Sequence, residues 1–216
     1  MKAGECRNRP DTKGQGEMKA YDLFRMKYGT ALAQSQVINW IWYDTLTYTS
    51  TTTTLLTFFN AVRATQDLGN MELAGTLANP KAFLIRAIRV YFKTQPAIVT
   101  AVPSIANDVA RLINNGFAQL TIGNKNYGTW PLVALPGGAG VYTEIAGAGA
   151  EATDEFLSYG ASGPPDPRAV YALTQPLMID PQINFQFTLN WAAAQTLTAN
   201  TDIMVMLDGE LMRPVQ

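Results

Sequence analysis

Between residues 184 and 191 the chain alternates without a break, with Asn184, Gln186, Thr188 and Asn190 on one parity and Phe185, Phe187, Leu189 and Trp191 on the other. A strict period of two fits a strand with one buried face and does not fit a helix, whose apolar side recurs every 3.6 residues. Such a strand requires a second apolar layer to cover it. Several other segments offer that layer. Residues 37–43 (Val-Ile-Asn-Trp-Ile-Trp-Tyr), 45–61, 83–92, 168–173 and 202–207 are rich in β-branched and aromatic residues, the side chains that suit a pleated surface. Gly123-Asn124-Lys125-Asn126 separates two further candidates, 117–122 and 127–135, as a four-residue hairpin loop. Pro131 marks the second of these as an edge strand or the site of a bulge.

Helical signal is sparse. Over 103–116, Ile105, Val109, Leu112 and Ile113 recur at i, i+4, i+7 and i+8, and Gly116 stands where a left-handed cap would end the helix. Asn107, Asp108 and Arg111 then form its polar side, toward solvent or a neighbour. A weaker amphipathic pattern runs over 18–36, with Tyr21, Phe24 and Leu32 near one stripe. Segments 65–81 and 159–167 read as loops from their Gly, Pro and Asn content, and Asp208-Gly209 reads as a turn. The count is eight to nine strands, one inserted helix and connections of very uneven length. That pattern favours a Greek-key β-sandwich over a propeller or solenoid, and no repeat of 20–50 residues is visible.

Charge is distributed unevenly. The total is 16 basic against 17 acidic residues. The first 27 residues hold Lys2, Arg7, Arg9, Lys13, Lys19, Arg25 and Lys27 against four acids, whereas 126–216 holds nine acids against Arg168 and Arg213. We expect a basic arm over 1–36, with a short helix, joined to a sandwich domain over 37–216. The start of the chain has no apolar signal region and no run approaches membrane-spanning length, so the expectation is synthesis in the cytosol and no transmembrane segment.

The chain has no histidine and a single cysteine, Cys6. Histidine is the usual proton shuttle near neutral pH and the commonest metal ligand, so most hydrolytic and metal chemistry has no agent here. Gly137-Gly138-Ala139-Gly140 and Gly147-Ala148-Gly149 lack the Lys-Ser/Thr that follows a phosphate loop and read as flexible surface. Glu144, Glu151, Asp154 and Glu155 read as solvated acids rather than a glycosidase pair. Ser158 has no histidine partner. Asp166, Asp180, Asp202 and Asp208 lack calcium-loop spacing, and Trp40, Trp42, Trp130 and Trp191 read as core more than as sugar platforms. No catalytic, cofactor or metal site is expected, and the chain is read as no enzyme.

Asn70-Met71-Glu72-Leu73-Ala74-Gly75-Thr76-Leu77, then Asn79-Pro80-Lys81-Ala82-Phe83-Leu84-Ile85 leading into Ile88-Arg89-Val90, with Pro176-Leu177-Met178-Ile179 ahead of the alternating strand, resemble jelly-roll capsid proteins of tailless icosahedral, often membrane-containing, bacterial viruses. The resemblance implies a mainly β fold, a single jelly-roll-like antiparallel β-sandwich with an inserted helix and an N-terminal arm. It implies a virion protein that self-assembles with copies of itself and other virion proteins and carries no catalytic site. Low charge suits a subunit that buries much of its surface, and the basic arm suits nonspecific contact with nucleic acid or anionic lipid. The alternative from the same residues is a receptor- or glycan-binding β-sandwich, such as a virion spike or lectin-like module.

Overall fold

The computed structural model describes residues 20–29, 35–95, 97–99, 105–146, 156–164, 166 and 168–215. Among these residues two α-helices, α1 (Ala20–Tyr28) and α2 (Ile105–Asn115), and a 3-10 turn (Leu132–Ala134) accompany eleven strands: β1 (Ser35–Tyr48), β2 (Leu55–Phe58), β3 (Ala82–Thr94), β4 (Ala97–Val99), β5 (Gly116–Ile122), β6 (Lys125–Pro131), β7 (Tyr142–Ala146), β8 (Phe156–Ala161), β9 (Tyr171–Ile179), β10 (Phe185–Trp191) and β11 (Thr201–Pro214). The fold is a mainly β sandwich of two antiparallel sheets. One sheet runs β1-β11-β3-β8-β4, with β7 added on β8 and β9 on β3, and the other runs β2-β10-β5-β6.

The pairings are nested. β1 pairs with β11, β2 with β10, β3 with β9, and β5 with β6. The chain thus doubles back at the β5–β6 hairpin into one long antiparallel ribbon, which rolls up so that successive pairs fall in alternate sheets. This is the jelly-roll arrangement of eight principal strands, with β8 and β9 sharing the sixth place.

The core lies between the sheets. Phe185, Phe187, Leu189 and Trp191 all point into it, as the alternation requires. Opposite them stand Trp42 and Tyr48 of β1, Ile88, Val90 and Phe92 of β3, and Ile203, Val205 and Leu207 of β11. Each fully buried side chain of this size contributes about 1.5–3 kcal/mol relative to exposure. α2 closes one end of the sandwich with Val109 and Leu112.

A second, smaller cluster lies outside the larger sheet. Ala20 and Phe24 of α1 are buried against Ala82, Leu84 and Met212, with Leu23, Tyr28, Val37 and Met178 around them. A bulge makes this possible. Gly209 lies opposite Ile85 and Asp208 opposite Ala87, so Arg86 is the extra residue on β3. Before the bulge Phe83 and Ile85 face the core while Ala82 and Leu84 face α1, and after it Ile88, Val90 and Phe92 face the core. Gly209 sits where a Cβ would lie 1.9 Å from the Leu84 carbonyl oxygen, so the close approach of β11 to β3 requires glycine.

Several sequence expectations are corrected. The first helix stops at Tyr28 instead of reaching 36, because Gly29 takes a positive φ and Ser35 and Gln36 already pair in β1. Gly116 opens β5 and is not a left-handed cap; a Cβ there would meet Leu132 at 2.5 Å and the Trp191 indole at 2.6 Å. The hairpin turn is two residues, Gly123 and Asn124, with a bulge between Leu120 and Thr121 taking up the difference. Pro131 does lie on an edge strand. Asp208 and Gly209 sit inside β11 rather than in a turn. Tyr159, Gly160 and Ala161 end a strand, and the next strand starts at Tyr171 rather than Arg168. Asp108 is 1% exposed, not solvent-facing. The side chain of Ile105, and Leu32, lie outside the described residues.

Candidate interaction surfaces

Because β2, β10, β5 and β6 send alternate side chains inward, their other parity forms one outward face. The register places it in rows: Leu55, Asn190, Phe117 and Pro131; then Thr57, Thr188, Gln119 and Thr129; then Gln186, Thr121 and Asn126. Lys125 is the only charged residue in the four strands, and it pairs with the inward-facing Ile122 at the hairpin end. Leu55 and Phe117 are 52% and 38% exposed. Hydroxyls and amides knit the face together, Gln119 and Asn126 both donating to Thr129 Oγ1 at 3.3 Å. Asn190 likewise donates to Thr188 Oγ1 at 3.2 Å. The sheet's edges are a four-residue strand and a strand ending in proline, both poor templates for edge-on pairing. Contact with another surface is therefore offered by the face.

At one end of this face lies a cleft of about 350 Å³ lined by Asn60, Ala74, Gly75, Thr121, Gly123, Asn184, Phe185 and Gln186. Part of its backbone is already paired, Gly123 N–H donating to the Asn184 carbonyl and Phe185 N–H to the Gly75 carbonyl. The amide side chains are what it presents, and amides both donate and accept.

The larger sheet presents a different outer surface. α1 covers one end, and next to it Arg86 donates to Glu210 at 3.0 Å and Arg89 to Asp208 at 2.7 Å. Of the seven basic residues assigned to the arm, Lys2, Arg7, Arg9, Lys13 and Lys19 lie outside the described residues. Arg25 and Lys27 are exposed in the last turn of α1, where cations complement the helix dipole. Lys27 also contacts Asp180 at 2.6 Å, and the Tyr28 hydroxyl donates to the same carboxylate. Burial, then the bonded Asp180, raises the Tyr28 phenol well above the ordinary tyrosine range. The apolar side of α1 therefore docks on its own chain's sheet through Ala20 and Phe24, although Tyr21 stays exposed.

The candidate chemical groups are dispersed or structurally committed. Asp166 caps the Arg168 amide, Asp180 holds α1, Asp202 accepts from Thr47 and Gln95, and Asp208 pairs with Arg89. Glu144 is exposed on β7, while Glu151, Asp154, Glu155 and Gly147 to Gly149 lie outside the described residues, as does the side chain of Ser158. Trp42 and Trp191 are core, whereas Trp40 and Trp130 are half-buried, Trp130 Nε1 donating to the Tyr171 hydroxyl. Gly137 and Gly138 are packed rather than flexible surface, since a Cβ on either would meet backbone of Val90 or Ser162 within 2.6 Å. Among the described residues no three His, Cys, Asp or Glu side chains gather as metal ligands, and no helix is long and apolar enough to cross a membrane.

Sequence reasoning missed two buried carboxylates. Asp44 accepts from the Phe59 amide at 2.5 Å and from Arg63 Nε and Nη2 at 2.5 and 2.8 Å, fastening the loop after β2. Asp108 accepts from the Thr198 and Ala199 amides at 2.7 and 3.3 Å. Burial pushes the Asp108 carboxyl above the usual carboxylate range, against the lowering effect of those bonds and of Arg111. Both acids are architectural. A scan against protein-family models and a search of curated proteins return no match for this chain.

Proposed function

We propose that this chain is a structural subunit of an icosahedral virus capsid, self-assembling through contacts between copies. The observation that carries the reading is the uncharged outward face of β2-β10-β5-β6. Solvent-facing sheet surfaces ordinarily carry lysine and glutamate, and depletion of charge in favour of neutral polar, aromatic and aliphatic groups is the mark of a contact core. The nested jelly-roll topology supports the reading by placing that face on a rigid wall. The basic arm supports it by offering Lys2, Arg7, Arg9, Lys13 and Lys19 to phosphate-bearing material, an attraction that weakens with salt. The location proposed is the virion.

A second reading, a glycan- or receptor-binding module, is favoured by the amide-lined cleft at the end of the same face. Negative-stain imaging and light scattering of the purified full chain separate the two. The capsid reading expects large, regular particles. A monomer or trimer that binds neutral oligosaccharides would overturn it in favour of the second.

A further inference from the structure

One corner of the larger sheet gathers three tyrosines. Tyr91 of β3, Tyr142 of β7 and Tyr159 of β8 line a cavity of about 310 Å³ with Ala161, Gly163 and Pro164. The register sets Tyr142 opposite Ala161 and Glu144 opposite Tyr159, which places the Glu144 carboxylate on the tyrosine side of the β7–β8 pair. The Tyr142 hydroxyl reaches Glu144 Oε2 at 3.4 Å, and the Tyr91 and Tyr159 side chains are hydrogen-bonded to one another. Ring faces beside a carboxylate attract a cation. Lys93, on the same sheet face, stands opposite Asp202 on one side and the lining residue Ala161 on the other, so it flanks the cavity as Glu144 does, neither of them lining it. From 142 to 161 the sequence carries Glu144, Glu151, Asp154 and Glu155 and no lysine or arginine.

We propose that this cavity receives a basic side chain from the chain's own N-terminal arm, one of Arg7, Arg9 or Lys13. α1 begins at Ala20 on the same outer face, packed over Ala82, Leu84 and Met212. From Leu84 to Tyr91 is seven residues of strand, about 23 Å at 3.3 Å per residue. An extended chain covers about 3.3–3.6 Å per residue. Lys19 is therefore too close to Ala20 to arrive, Lys13 arrives only when fully drawn out, and Arg9 and Arg7 arrive with slack. Tethering keeps the effective concentration of these groups high without a large contact area. The inference holds for a single chain and does not depend on assembly.

Cys6, beside Arg7 and the only cysteine in the chain, provides the test. A benzophenone attached to Cys6 of the full chain, irradiated and mapped by mass spectrometry, is expected to join peptides carrying Tyr91, Tyr142 or Tyr159. Replacing Arg7, Arg9 and Lys13 together by Gln should reduce those adducts severalfold, and Glu144→Gln should reduce them in the same direction. Adducts spread over both sheets, or unchanged in the triple variant, would sink the proposal. A mixture of ¹⁵N-labelled and unlabelled chains identifies the donor: adducts within one isotope support it, and mixed-isotope adducts overturn it in favour of a second copy's arm. Particle formation is scored separately, so normal particles without these adducts remove this inference alone.

Discussion

Asp108 carries a carboxylate into the interior because the segment at Thr198 and Ala199 has two backbone N–H groups to satisfy there. An orphaned buried donor costs on the order of 1–3 kcal/mol, so Asp108→Ala is expected to lower unfolding stability by that amount for each N–H, measured by urea denaturation. The pH dependence runs opposite to that of a salt-bridged acid. With the folded carboxyl raised by burial, the native state holds its proton more tightly than the unfolded chain. The Asp108 contribution is then greatest below the unfolded value, about 3.9, and is lost as pH rises through the raised folded value. Wild type should lose stability relative to Asp108→Asn across that window as pH rises, and a wild type that gains on the variant as pH rises would contradict the assignment. The helical period of α2 made its apolar side readable from Val109 and Leu112. It assigned Asp108 to solvent or a neighbour because no local pattern reports a segment ninety residues away.

At the level of elements, the legible pieces were those with internal periodicity. β10 and α2 state their buried faces in their own residues. β3 and β11 were legible as strands but not in extent, because Asp208-Gly209 has turn chemistry locally and is overridden by fourteen residues of pairing along β11. The outer apolar positions Ala82 and Leu84 are intelligible only once α1 is in place. α1 is nine residues long, too short to persist alone in water, and depends on this docking. Phe24→Ala should remove the main anchor, a truncation costing about 3–5 kcal/mol where it is fully felt. The expected readout is local: hydrogen exchange speeds up in α1 while β10 keeps its protection. Equal loss in both would show that α1 and the sandwich unfold as one unit. The Lys27–Asp180 contact, half-exposed, adds little beyond Phe24.

For the whole molecule, the position of α1 fixes where an arm deletion is informative. Removing residues 1–19 leaves Phe24 and its cluster intact, so unfolding stability should stay within about 0.5 kcal/mol of wild type while particle yield falls. A cut through Lys27 would strip the anchor as well and confuse folding with assembly. Normal particles at normal yield from the shorter deletion would make the arm dispensable. The interaction face itself was partly legible, since Gln186, Thr188 and Asn190 announced an uncharged exterior in the sequence. Its continuation across Thr57, Gln119 and Thr129 was not, because it exists only through cross-strand register.

The nested ribbon also sets a timetable. β1 begins the sandwich, yet among the described residues its one strand partner is β11, with Trp42 opposite Leu207. On the ribosome the Trp-Ile-Trp segment must therefore emerge early and wait, apolar and unpaired, until nearly all the intervening chain has been made. The β5–β6 hairpin and the β7–β8 pair can close on contacts near in sequence. Folding of this kind is slow for its size, and the waiting strand is the one a chaperone would be called on to shield.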